Sequence, residues 1–143
     1  MISEAFPDPA TAFGRRVRQR LHSEQVAWLT TVGADGTPQP NPVWFLWDDT
    51  HVLVYNRPDA NRLTHIQMRP QVSLHLDSDG RGGDIVVLTG HAQILDPHPL
   101  PHELPGYLDK YLESMTRVSG SPEAFSEAYP VPVRLEVVRV RGF

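Results

Sequence analysis

The apolar positions of this chain fall mostly in strand-like runs, with helix-period segments at three points. Gln25 to Val32 (QVAWLTTV) is rich in β-branched and aromatic residues, which suit a pleated, half-buried surface. Asp35-Gly36 is a tight-turn pair and predicts a hairpin. The run that follows, Pro38 to Trp47, carries prolines at 38, 40 and 42. Each removes a ladder donor, so this run is expected at an edge, at a bulge, or with one side facing a ligand. Asp48-Asp49-Thr50 makes a second turn before the strand His51 to Tyr55. Gln71 to Leu76, Ile85 to Leu95 and Val131 to Phe143 bring the predicted strands to about six. Gly90 interrupts the second of these as a bulge. In the last, Val133, Leu135 and Val137 alternate with Arg134 and Glu136, giving one buried and one charged face.

Phe13, Val17 and Leu21 recur every four residues and predict a helix over about 9–22, with Asp8 as cap and Pro9 at the first position. Arg15, Arg16, Arg18 and Arg20 fall largely on its other faces, where a solvated face is expected. Asp59 to Met68 reads as a short helix capped by Asp59, with Leu63 and Ile66 inward; Pro70 ends it. Tyr107 to Val118 places Tyr107, Leu108, Tyr111, Leu112 and Met115 on one side, and Pro122 to Tyr129 adds a shorter helix. Strand–turn–strand order dominates and no βαβ series occurs. The expected fold is mainly β with inserted helices, a small antiparallel barrel forming a single domain over residues 1–143.

Composition narrows the chemistry. The 143 residues include no cysteine, which removes disulfides, thiolate metal sites and cysteine nucleophiles. Net charge is −4, against the basic balance of a general nucleic-acid binder. No apolar run approaches the roughly 18 residues that span a bilayer, and the N-terminus lacks an apolar signal core. The expectation is a cytoplasmic protein with neither membrane nor nucleic-acid partner. Lys110 is the sole lysine, so positive charge is nearly all guanidinium.

Familiar catalytic signatures are missing: no G-x-S-x-G elbow, Walker A loop or G-x-G-x-x-G. Gly80-Arg81-Gly82-Gly83 lies between strands and reads either as a hairpin loop or as a ligand-gating loop. His98 and His102 are four apart, but Pro99 and Pro101 keep them off one helical face, so no metal site is expected. No catalytic residue is marked. Arg57 and Arg62 remain. They bracket a turn and a helix start, where unpaired N–H groups and guanidinium groups favour phosphate.

Four segments together resemble a known family: WLTTVGADGTPQPNPVWFLWD, YNRPDANRLTHIQMRPQVSLHLD, GRGGDIVVLTGHAQI and VPVRLEVVRVRGF. Their order and spacing, over Gln25 to Phe143, resemble the pyridoxamine 5′-phosphate oxidase-like flavin and deazaflavin oxidoreductases, and most nearly the branch similar to F-420-dependent enzymes. The resemblance implies a six-stranded antiparallel split β-barrel (FMN-binding split barrel, Greek key). It implies a homodimer with each cofactor at the subunit interface. Arg62 stands where the family has a phosphate-binding lysine. Tyr55, Asn56 and Arg57 match the strand end along the ribityl-phosphate, and Asn61 the helix start beside it. Asn41, Pro42, Val43, Trp44 and Phe45 match the strand along the ring. Pro40 and Phe45 stand where pyridoxamine phosphate oxidases have arginine and lysine, which counts against that enzyme's own reaction.

The implied activity is hydride transfer from bound, reduced F-420 to a conjugated small molecule. FMN is the alternative cofactor, and a non-catalytic flavin- or F-420-binding module the alternative role. Arg81 is a third cation available to an acidic cofactor tail.

Overall fold

The computed structural model describes residues 4–143. Helix α1 (Ala12–Ser23) leads into β1 (Ala27–Val32) and β2 (Pro38–Val43), then β3 (Leu46–Trp47) and β4 (His51–Asn56). Helix α2 (Asn61–Met68) carries the chain to β5 (Gln71–His75) and β6 (Val86–Ile94). A 3-10 turn (Pro101–Glu103), α3 (Pro105–Ser119) and α4 (Pro122–Ala128) precede the closing strand β7 (Val131–Gly142).

All strand pairs are antiparallel, in the order β2-β1-β5-β6-β7-β4-β3. The two ends of that order, β2 and β3, are consecutive in the chain, separated by Trp44 and Phe45. So short a link spans only about 10 Å. The sheet must therefore curl until its ends approach at Trp44–Phe45, which form the seam of a half-barrel. This corrects the expected six strands to seven. The proline-rich run lies at the edge, as its missing donors predict, but it breaks at the seam into two strands.

The seam peptide is satisfied from α3. The Tyr111 hydroxyl accepts from Phe45 N–H (2.9 Å) and donates to the Gln25 carbonyl (2.7 Å). Lys110 Nζ donates to the Phe45 carbonyl (2.9 Å) and lies 3.9 Å from the centroid of the Phe45 ring.

β4 is apolar at consecutive positions because both its faces are covered. Val52 and Val54 join the main core with Leu29, Leu74, Leu88 and Val133, where Val17 and Leu21 of α1 also pack. Leu53 and Tyr55 point the other way, into a second core built by Tyr107, Tyr111, Met115 and Phe125 of α3 and α4. Gly90 sits at a register break between β6 and β7, and a Cβ there would meet the Glu136 carbonyl oxygen at 1.9 Å.

Three local expectations change. Thr11, not Asp8, caps α1: its hydroxyl accepts from Gly14 N–H. Asp8 instead closes the preceding turn, its carboxylate accepting from Ala10 N–H. The cap of α2 is Ala60, with no side-chain acceptor, and Asp59 stays outside. The arginine face of α1 is solvated only at Arg15; Arg16, Arg18 and Arg20 are partly buried. Arg20 is 11% exposed and donates to the carbonyls of Asp84 and Asp77, and Arg16 pairs with Asp84 (2.7 Å). They lash the helix to the glycine-rich loop.

Candidate functional site

Two cavities meet at Arg62. One, of about 240 Å3, is polar and lined by Thr31, Gln39, Asn41, Ala60, Asn61, Arg62 and His65. The other, of about 210 Å3, is lined by Pro42, Val43, Trp44, Tyr55, Arg62, Tyr107, Val118, Phe125 and Tyr129. The split follows from strand geometry. Gln39 and Asn41 are two apart on β2 and share a face. Thr31 pairs with Gln39 across the hairpin and joins that face. On α2, Arg62 and His65 are three apart and neighbours on one helix side. The Thr31 hydroxyl and His65 Nδ1 are 2.9 Å apart.

Arg62 is half-buried and held from behind. Its Nε donates to the Asn56 Oδ1. Asn56 is 0% exposed, and its Nδ2 donates to the carbonyls of Val54 and Val131 (both 3.0 Å). That fixes the carboxamide's orientation and leaves its oxygen for the arginine. Burial pulls the Arg62 guanidinium below its ordinary pKa, partly offset by Tyr129. It stays a cation, since arginine does not deprotonate in proteins. No carboxylate pairs with it among the described residues. A desolvated, unpaired cation beside an uncapped helix start fits an anion.

The aromatic cavity presents flat rings. Trp44 stacks on Tyr111 (4.9 Å between centroids, 4° between planes) and on Phe125 (5.1 Å, 11°). Phe125 stacks on Tyr129 (4.5 Å, 19°), and Tyr107 meets Tyr55 edge-on (4.9 Å, 81°). Burial pushes the Tyr55 hydroxyl up to about 12, with Glu103 adding to the rise, and pushes Tyr107 up as well. Both phenols are neutral donors at physiological pH.

Seven of the ten sequence-derived candidates line these cavities: Asn41, Pro42, Val43, Trp44, Tyr55, Asn61 and Arg62. Asn56 lies behind them. Phe45 is 0% exposed in the main core. Arg57 is exposed and lines neither cavity; its guanidinium lies 5.2 Å over the Tyr129 ring and its Nε 3.9 Å from Asp59. Arg81 lies in the exposed loop after β5 and also lines neither. Sequence reasoning missed Thr31, Gln39 and His65. The hairpin register around Asp35-Gly36 and the helical spacing from Arg62 are the signals that place them. Phe125 and Tyr129 read only as helix residues.

A family model described as pyridoxamine 5′-phosphate oxidase matches residues 13–141. The chain belongs to the pyridoxamine 5′-phosphate oxidase family. No curated protein matches it. Among solved structures, this family member is similar to one named F420 reductase (TM-score 0.69, 21% identity, 87% of this chain and 94% of that one covered). It is also similar to the conserved hypothetical protein Rv2991 from Mycobacterium tuberculosis (0.64, 19%, 99% and 88%). HutZ, the heme storage protein from Vibrio cholerae, shares the fold as well (0.64, 13%, 92% and 95%). At these identities the likeness is one of fold. The family includes oxidoreductases, and its fold also serves a storage protein.

No group of three or more potential ligands is placed to hold a metal among the described residues, and no described helix is long and apolar enough to cross a membrane.

Proposed function

We propose that this protein binds F-420 and uses it to reduce a conjugated small molecule, acting as a homodimer. The observation that carries the reading is Arg62, unpaired and oriented by Asn56, at the junction of a polar and an aromatic cavity. In this reading Arg62, the start of α2 and the side chains of Asn41 and Asn61 hold the phosphodiester. Trp44, Phe125 and Tyr129 bound the ring and keep water from one side of it. F-420, when bound, supplies two-electron hydride chemistry itself. The protein's part is position and electrostatics, which agrees with the absence of an acid–base pair in the aromatic cavity.

F-420 is favoured over FMN because it carries a phosphodiester and an acidic tail. The polar cavity is bordered by the exposed edge strand β2, which leaves room for a tail to run outward. The homodimer is part of the same reading. Each cavity alone is smaller than the pockets that enclose a ligand of this size, so a second copy would complete the site. An open groove of about 410 Å3 on the outer sheet face, with Val32 and Val138 in it, is available to such a contact. Haem fits less well here, because no histidine lines the aromatic cavity to act as axial ligand.

Equilibrium titration of the purified protein with F-420 and with FMN tests this. Tighter binding of F-420 than FMN is expected. Failure of both to bind overturns the reading, and tighter FMN binding replaces the cofactor.

A further inference from the structure

A third enclosed space lies on the outer side of β3, β4 and β7, under the connector that follows β6. It measures about 200 Å3 and shares no residue with the Arg62 cavities. Leu46, Leu53, Leu95 and Leu104 make its apolar part, and Asp48, His51, His98 and Arg134 its polar part.

One of these polar groups is a buried atom without a partner, and another is a cation without a counter-ion. Arg134 on β7 is half-buried, and its guanidinium makes no hydrogen bond or ion pair among the described residues. Glu136, two residues on and on the same strand face, is not paired with it. His98 Nε2 is buried and has no hydrogen-bond partner. A buried ring nitrogen without a partner is rare in folded proteins and calls for an explanation. Asp48 does not neutralise Arg134. Its Oδ1 accepts from the backbone N–H groups of Thr50 and His51, and its Oδ2 lies 3.8 Å from His51 Nδ1.

We propose that this cavity binds a small carboxylate with an apolar body, its carboxylate at Arg134 and His98 and its body among the four leucines. A neutral ligand would leave the arginine unpaired, and a cation would be repelled by it. A phosphate would bring a second charge and strong hydration against a leucine-lined wall. The space suits a ligand of roughly eight heavy atoms. Tyr55, which lines the aromatic cavity and not this one, has its ring 6.2 Å from that of His98. The inference is independent of which cofactor the Arg62 cavities hold.

The test is an NMR titration of the intact protein with sodium hexanoate, reading the His98 ring resonance, with acetate and 1-hexanol as probes of charge and body alone. Burial, and next the Arg134 charge, hold the His98 imidazole below its ordinary pKa. A carboxylate placed between them raises it. Saturable hexanoate binding is expected with Kd on the order of 0.1–1 mM, and at least about tenfold weaker binding of both controls. Arg134→Gln weakens hexanoate about tenfold and leaves F-420 titration unchanged. His98→Phe keeps the volume, assigns the resonance, and serves if the first variant fails to fold; followed by saturation transfer to the hexanoate signals instead, it too weakens binding. No saturable shift by about 10 mM, 1-hexanol binding as well as hexanoate, or unaltered binding in a folded variant overturns the proposal.

Discussion

Asn56 is the fixed point against which Arg62 is aimed. Its amide nitrogen is tied to two backbone carbonyls, so its oxygen has one place to face, and Arg62 Nε meets it there. Arg62→Ala removes a charge-assisted hydrogen bond to the cofactor's anion and is expected to weaken binding by about 1.5–3 kcal/mol. Arg117→Ala, at the exposed end of α3, is the control and should leave binding alone. Equal affinity in the Arg62 and Arg117 variants, measured by titration, would remove Arg62 from the site.

Asn56→Leu tests the support without touching the cation. It removes the two hydrogen bonds from Asn56 to the carbonyls of Val54 and Val131, so unfolding should become easier by about 1–3 kcal/mol. Arg62 also loses its anchor, so cofactor affinity should fall in the protein that remains folded. A variant less stable but binding normally would show that Arg62 needs no orienting partner.

Gly90 is required by close approach, since a methyl there would overlap the Glu136 carbonyl. Gly90→Ala should cost about 3 kcal/mol, the scale of backbone shift or overpacking. A melting temperature within a degree or two of the parent would show that β6 and β7 can separate cheaply at the bulge.

Arg20 bridges α1 to the loop 77–85 through two backbone carbonyls and Asp84. Arg20→Ala should destabilise by about 1–3 kcal/mol, and hydrogen exchange in the loop should quicken. Unchanged loop exchange would mean that the glycine-rich segment is held by its own turns, such as the bonds from Arg81 and Gly83 N–H to Asp79.

The elements were legible where one physical signal sufficed. Period-two alternation marks β7, Asp35-Gly36 marks the first hairpin, and Gly90 marks the bulge. What failed depended on competition between neighbours. Asp8 and Thr11 can both cap a helix, and only the fold decides that Asp8 serves the turn. The break at Trp44–Phe45 is invisible locally because its stabilising groups, Lys110 and Tyr111, come from 65 residues and more away. The site divides the same way. Arg62 and Asn41 follow from strand, helix and resemblance. Phe125 and Tyr129 become wall residues only because α4 folds back over β4's outer face. Arg16 and Arg20 looked solvated because their acceptors on the loop, the Asp84 carboxylate and the carbonyls of Asp77 and Asp84, lie far away in the sequence.

The seam gives the protein an unusual alkaline profile. Burial lowers Lys110 to about 8 from an ordinary 10.5, opposed only by Glu24. Between those values the unfolded chain binds the proton and the folded chain has released it, so stability rises with pH across about 8 to 10.5. The tyrosines act in the opposite sense. Tyr55 is raised to about 12 by burial, and Tyr107 and Tyr111 are raised too, so the folded state keeps protons that the unfolded chain sheds above about 10. Their contribution is complete below pH 10 and is lost above it. Stability should therefore climb from pH 8, peak near pH 10 and then fall. Lys110→Met keeps the stem, removes the titration, and should abolish the climb while leaving the fall. Denaturant midpoints measured at pH 7, 8, 9, 10 and 11 decide the matter. A flat parent curve would show that the Lys110 ammonium is solvated at the seam, and a climb persisting in Lys110→Met would assign the proton to another group.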